Sequence, residues 1–155
     1  MRIRSYQPDD LERLKKITLE AFDGFSIDQM IEGRYGLING SDWRSRKAIH
    51  VEDDTIRDSM GIFVAEADGM AIGYVSSWKN IEMGIGYIPN IAVANGYRGR
   101  GIGRKLLEHV MKDLRRQGLS YVRIETVHEN IVGKHLYTSL GFEEITRQIH
   151  FIKKI

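Results

Sequence analysis

The chain has no cysteine and only two prolines in 155 residues. Without cysteine there is no disulfide, no thiolate metal site and no thiol nucleophile; a reducing compartment is permitted. No apolar run approaches the ~20 residues needed to span a bilayer, and the opening Met1-Arg-Ile-Arg-Ser-Tyr is too polar for a signal peptide. One-sided charge is also missing. With 23 Lys and Arg against 21 Asp and Glu, the formal net charge is +2, which does not suit a general nucleic-acid binder. His128 and His135 lie seven residues apart, and no Cys, His or Asp set near them has metal-ligand spacing, so no metal is expected. There are no repeats, no low-complexity segment and no linker. These absences lead to the expectation of a soluble cytoplasmic protein with no membrane or nucleic-acid partner, a monomer or homodimer. Its length suits one domain, residues 1–155, around one core.

What the chain does have is glycine at telling positions. From Ile91 to Leu107 it reads Ile-Ala-Val-Ala-Asn-Gly-Tyr-Arg-Gly-Arg-Gly-Ile-Gly-Arg-Lys-Leu-Leu. A short apolar strand, Ile91 to Val93, enters a turn dense in glycine. A helix leaves it with Ile102, Leu106, Leu107, Val110, Met111 and Leu114 on one face. The first N–H groups of a helix lack internal partners and carry partial positive charge, and glycine lets an oxyanion approach them closely. Arg98, Arg100, Arg104 and Lys105 crowd the same turn, which points to a multiply charged anion such as a pyrophosphate.

Two common phosphate motifs do not fit. A dinucleotide fingerprint counted from Gly99 or Gly101 finds Arg104 or Leu106 where its third glycine should stand. A P-loop counted from Gly99 finds Arg104, Lys105 and Leu106 in place of Gly-Lys-Ser/Thr. What stands there is Arg98-x-x-Gly101-x-Gly103 after Ile-Ala-Val. This resembles the pyrophosphate-binding motif of the GNAT N-acetyltransferase superfamily. The plain alternative is a glycine-rich turn with a solvated run of charge.

The rest of the chain supplies elements in order. Arg2 to Tyr6 alternates weakly, as a first strand would. Pro8-Asp9-Asp10 starts a helix, with Asp9 and Glu12 at capping-box spacing and Leu11, Leu14, Ile17, Leu19 and Phe22 facing inward. Ser26 to Tyr35 reads as a short helix with Ile27, Met30 and Ile31 inward. Ser41-Asp42 opens another through Trp43, Ala48 and Ile49, and Glu52-Asp53-Asp54 reads as a solvated acidic patch. Asp68-Gly69 between Ile62–Glu66 and Ala71–Trp78 marks a hairpin. Gly84, Gly86 and Pro89 imply that the strand Tyr87 to Val93 is kinked or bulged rather than flat. Gly118 should end the main helix. Tyr121 to Val127 should run parallel to the Ile91 strand, since a helix joins the two. Phe142–Arg147 and Gln148–Ile152 read as two final strands, whose Phe151 and Ile152 suit pairing with a second subunit.

Asn130-x-x-Gly133-Lys134-x-Leu136-Tyr137-x-x-Leu140-Gly141-Phe142 puts Asn130, Gly133, Lys134 and Tyr137 on one helical stripe. This second motif also resembles the GNAT superfamily. The two motifs come in the superfamily's order, and their spacing is most similar to that of the ribosomal-protein and protein N-terminal acetyltransferases. The resemblance implies an α/β three-layer fold. Its mixed sheet would have about seven strands, splayed between the fourth and fifth, with four or five flanking helices. It also implies acetyl-CoA as co-substrate and direct acetyl transfer to a primary amine on a protein N-terminus, a lysine or a small molecule. The diphosphate would lie on Arg98, Gly99, Arg100, Gly101, Ile102, Gly103 and Arg104. The pantetheine arm would pair with Ile91, Ala92 and Val93, with Asn130, Lys134 and Tyr137 also facing the coenzyme. Tyr137 would give the leaving thiolate its proton and Glu125 would be the base. Glu125 also stands where it would pair with Arg123, and Glu82 is a second candidate base. A CoA-binding sensor without turnover is the alternative of another class, and a nucleotide-binding domain is a third.

Overall fold

The computed structural model describes residues 1–155. Five strands are hydrogen-bonded in the order β1 (Arg2–Ser5), β2 (Phe63–Ala67), β3 (Met70–Asn80), β4 (Ile85–Val93) and β5 (Tyr121–Ile124). The first three junctions are antiparallel and β4–β5 is parallel. Helices α1 (Leu11–Phe22), α2 (Ile27–Tyr35) and α3 (Trp43–Asp58) come between β1 and β2; α4 (Ile102–Arg116) joins β4 to β5, and α5 (Ile131–Ser139) follows β5.

Period-two alternation, interrupted in β3 by a one-residue slip opposite Ala65 and Glu66, splits the strands between two cores. Phe63, Ala65, Ile72, Val75 and Ile88 pack under α4 through Ile102, Leu106, Leu107, Val110 and Leu114. Val64, Tyr74, Ala92 and Ala94 face the other way, onto Leu14 and Ile17 of α1 and Val51 of α3. Arg4 fastens β1 between two carboxylates. Its Nη1 and Nη2 donate to Asp10 at 2.7 and 2.8 Å, and its Nε donates to Glu66 at 2.5 Å.

The turn residues behave as their chemistry requires. Asp68 and Gly69 both take positive φ, at 51° and 74°, in the β2–β3 hairpin. Gly118 closes α4 at φ 87°, and Asp42 caps α3 by accepting from Ser45 N–H at 2.8 Å. The bulge implied by Pro89 is present: pairing slips by one residue between Ser76 and Trp78 opposite Tyr87–Asn90. The slip reverses the facing of β4, so Ile88 and Ile91 both pack on the α4 side, with Asn90 between them on the α1/α3 side.

Several expectations are corrected. The sheet has five strands, because residues 142–155 form none and most are exposed, including Ile145, Ile149 and Phe151. Alternation in that tail says which side chains would share a face, but it supplies no partner edge. The N-terminal capping box is Gln7 with Asp10, two residues earlier than Asp9 with Glu12; Gln7 N–H donates to Asp10 Oδ2 at 2.8 Å. The helix α2 buries none of its residues, and Ile27 and Met30 lie outward because α2 packs on α3 rather than on the sheet. Ile49 is also outward; the inward stripe of α3 runs Trp43, Lys47, Val51, Asp54. His109 is half-buried, its ring edge-on to Phe63 at 4.5 Å.

Candidate functional site

The site is a gap in the sheet. Pairing between β4 and β5 covers only Ile85–Ile88 against Tyr121–Ile124. Beyond Ile88 the strands part, and β4 continues to Val93 with one edge open. The ladder decides which groups face the gap. Ala94 N–H donates to Ile72 C=O at 2.9 Å, so alternation turns the amides of Ala92 and Asn90 toward β3 and those of Ile91 and Val93 away from it. Ile91 and Val93 therefore offer main-chain groups along the gap, as a chain of amides such as pantetheine requires. Ala92 does not: its backbone is turned to Tyr74 and its side chain is buried against the α1 side.

At the end of the gap lies the cradle. Gly99 and Gly101 both adopt φ of 74°, the left-handed region, and a Cβ at either would meet no atom within 4 Å. Conformation, not crowding, is what requires glycine there. Gly101 precedes the first turn of α4, whose leading N–H groups have no partner inside the helix. Among turn and cap hydrogen bonds, none is donated by an amide of residues 99–104. At Gly103 the reason is packing: a Cβ would stand 3.2 Å from Leu136 of α5.

The cations around the cradle are unequal. Arg98 Nε donates to Val93 C=O and its Nη2 to Glu20 C=O, both at 3.1 Å, so its guanidinium braces the end of β4 against α1. Arg104 donates to Ser139 Oγ at 2.7 Å and ties α4 to α5. Arg100 lies over the Tyr97 ring at 5.3 Å and is exposed.

Asn130 caps α5. Its Oδ1 accepts from Gly133 N–H and its Nδ2 donates to Thr126 Oγ1, each at 2.9 Å, so both ends of the amide are engaged. Lys134 is half-buried on the same helix. Tyr137 packs against the α4 core and edge-on to Phe142, with ring centroids 6.1 Å apart. Its hydroxyl has no hydrogen bond within the protein and is not enclosed, and burial of the ring pushes its pKa up to about 12. Glu125 follows β5 where the strands part. It is exposed, with Oε1 accepting from Arg123 Nη2 at 3.0 Å. Glu82 sits exposed at the tip of the β3–β4 hairpin, the opposite end of β4 from Val93.

A second polar group meets the bulge from the other face. Asp54 of α3 accepts from Ser76 Oγ at 2.5 Å and from Asn90 Nδ2 at 2.7 Å, both on Oδ2. Lys47, two turns earlier on the same stripe of α3, donates to Asn90 Oδ1 at 3.2 Å and lies over the Phe22 ring at 4.0 Å. Burial raises the Asp54 pKa and lowers that of Lys47. The sequence held a signal for these residues. Trp43, Lys47, Val51 and Asp54 stand at helical spacing, so two charged residues share a stripe with two apolar ones; read alone, Glu52-Asp53-Asp54 had suggested a solvated patch. No group of three or more His, Asp or Glu residues converges as metal ligands. No helix is long and apolar enough to cross a membrane.

A sequence model of the acetyltransferase (GNAT) family matches residues 25–142. The chain belongs to that family. An uncharacterised N-acetyltransferase of Methanocaldococcus jannaschii is 29% identical over 147 residues, covering 92% of this chain and 60% of that protein. The [ribosomal protein bS18]-alanine N-acetyltransferase of Escherichia coli is 42% identical over 57 residues, 37% of this chain and 38% of that one. The chain thus spans less than two thirds of the length of these relatives. Among solved structures, the paia N-acetyltransferase of Thermoplasma acidophilum, crystallised with coenzyme A, superposes with a TM-score of 0.72. Its identity is 22%, over 92% of this chain and 89% of that one. At that identity the likeness speaks for the fold.

Proposed function

We propose that this GNAT-family chain is an acetyl-CoA-dependent N-acetyltransferase that moves the acetyl group directly to a primary amine. One observation carries the reading: β4 runs open-edged from the bulge at Asn90 to Val93 and leads into an unpaired set of amides at residues 99–104. An anion at one end and an amide chain along the other are the two things a coenzyme A thioester needs held. The amides of Gly99 to Arg104 hold the diphosphate, with Arg100 and Lys105 as exposed cations beside them. The N–H groups of Ile91 and Val93 pair with the arm, and Val93 N–H is placed to receive the thioester oxygen as charge develops on it.

The acceptor's side follows from packing. Ile91 and Val93 turn their side chains into the α4 core, so that face is filled. The amine enters from the α1/α3 face. Tyr137 holds its proton through the neutral range because burial opposes ionisation, and its hydroxyl donates a hydrogen bond to the departing sulfur. A carboxylate must relieve the amine of its proton, since a free alkylamine has a pKa of about 10. Glu125 offers one from the β5 side of the gap.

Two measurements test the reading. Coenzyme A should raise the melting temperature while ATP and NAD do not, because a ligand bound only by the native state stabilises it. Thiol release from acetyl-CoA across a panel of protein N-terminal peptides, lysine peptides, polyamines and aminoglycosides should find an acceptor. Coenzyme A binding without thiol release from any amine would favour the sensor reading, and no coenzyme A shift would dismiss both.

A further inference from the structure

The polar cluster where α3 meets the β4 bulge lies on the α1/α3 face of the sheet, away from the coenzyme side of the site. It brings Asp54, Ser76, Asn90 and Lys47 from three elements onto one point of the sheet. Asn90 is 4% exposed and Ser76 1% exposed, so both are fixed in place. Asn90 is next in sequence to Ile91, whose main chain opens onto the gap, and its side chain points to the α1/α3 face from which the amine must come.

From this juxtaposition we infer that Asp54 is the acceptor-side carboxylate: its Oδ1 receives the ammonium of the incoming amine and takes its proton. This rests on the acetyltransferase reading and names a residue within it. The two oxygens of Asp54 are not equivalent. Oδ2 accepts both hydrogen bonds, from Ser76 and Asn90, and that pair sets the plane and direction of the carboxylate. Oδ1 accepts none, and it is not among the enclosed unsatisfied atoms, so solvent reaches it. A cation donor is what it lacks. Glu125, by contrast, is already bonded to Arg123 and is free to swing in solvent.

The electrostatic surroundings fit a base rather than a structural ion pair. No cation lies within 4 Å of Asp54, and its neighbours of either sign are Lys47 and Arg57 on its own helix and Tyr74 on β3; Asp28 of α2 acts on Lys47 in turn. Half-burial favours the protonated carboxyl, which makes the ionised form a stronger proton acceptor than an exposed aspartate. Lys47, bonded to Asn90 Oδ1, orients the amide so that its Nδ2 points at Asp54; it is a positioning residue.

The step balances as follows. Asp54 Oδ1 takes one proton from the ammonium and passes it to water. The freed nitrogen attacks the thioester carbon, the C–N bond forms, and the C–S bond breaks. The second amine proton leaves as the tetrahedral centre collapses, and the departing sulfur takes up one proton. An ammonium and acetyl-CoA become an acetamide, coenzyme A thiol and one released proton.

The test uses the full chain with whichever amine the panel identifies. Asp54→Asn should lower kcat/KM for that amine by about 10²-fold or more, keep the coenzyme A thermal shift, and abolish the acidic limb of the pH profile. Ser76→Ala removes one of the two hydrogen bonds that favour and orient the carboxylate, so it should lower kcat/KM less than Asp54→Asn does and move that limb to higher pH. If Asp54→Asn fails to fold, the Ser76→Ala profile decides alone. A limb that Asp54→Asn or Ser76→Ala leaves in place, or one that Glu125→Gln removes instead, overturns the inference while the acetyltransferase reading stands. A wild-type chain that binds no coenzyme A takes down both.

Discussion

Tyr137→Phe isolates one oxygen atom, and the structure allows its effect to be worked out. The Tyr137 hydroxyl has no partner in the protein, so removing it breaks no internal hydrogen bond. The ring keeps its packing on the α4 core and its edge contact with Phe142. Stability should therefore stay within about 0.5 kcal/mol of wild type. The kinetic effect is bounded by acidity. The hydroxyl is pushed up to about 12, whereas a departing thiol has a pKa of about 8.5. Full proton transfer from this hydroxyl to sulfur would climb by about 5 kcal/mol at about 1.4 kcal/mol per tenfold. In the proposed mechanism Tyr137 acts as a hydrogen-bond donor to a developing negative charge, an interaction worth about 1.5–3 kcal/mol. Its loss should lower kcat by roughly 10- to 150-fold while KM for acetyl-CoA changes little. Stopped thiol-release assays at saturating amine, alongside a melt with and without coenzyme A, measure all three quantities. A kcat within twofold of wild type would refute the reasoning. So would a fall carried wholly by KM, which would make Tyr137 a binding residue.

Three further outcomes follow from other parts of the molecule. Arg4 holds the Asp10 carboxyl below its usual range, so the stability this pair contributes is complete above about pH 4 and is lost as pH falls through the native pKa. Asp10→Asn should cost about 2–3 kcal/mol at pH 7 and flatten the acid limb of a melting-temperature profile. Gly101→Ala forces a Cβ onto a φ of 74° with open space around it. It should cost about 1–2 kcal/mol in a denaturant melt and weaken coenzyme A binding in calorimetry as the cradle turns away. Gly133→Ala puts a Cβ 2.5 Å from Asn130 Nδ2, so it should eject the α5 cap. The expected loss is about 1 kcal/mol or more, with protease sensitivity appearing first around residues 126–133.

The parts of this protein that depend on neighbours in sequence were written in the sequence. Residues 91–107 form a strand end, a turn and a helix start, and glycine spacing is enough to specify that backbone. The Asp68-Gly69 turn, the Asp42 cap, the Gly118 stop and the apolar stripe of α4 are local in the same sense, each fixed by backbone sterics or helical period. Gly84, Gly86 and Pro89 announced an irregular β4, though not whether it would kink or bulge. Facts that depend on which distant segment arrives first, and at what angle, were not legible. Alternation in residues 142–152 could not say that no edge would receive them. The apolar residues of α2 could not reveal that a third helix would come between them and the sheet. Motif spacing picks out Arg98 and Asn130, but it could not show that Arg98 reaches two carbonyls or that Asn130 caps α5. The meeting of Asp54 with Asn90, 36 residues apart, is of this kind too. A charged side chain on an inward stripe announces that something polar must meet it, and only the fold decides that the partner lies at the one point where β4 changes face.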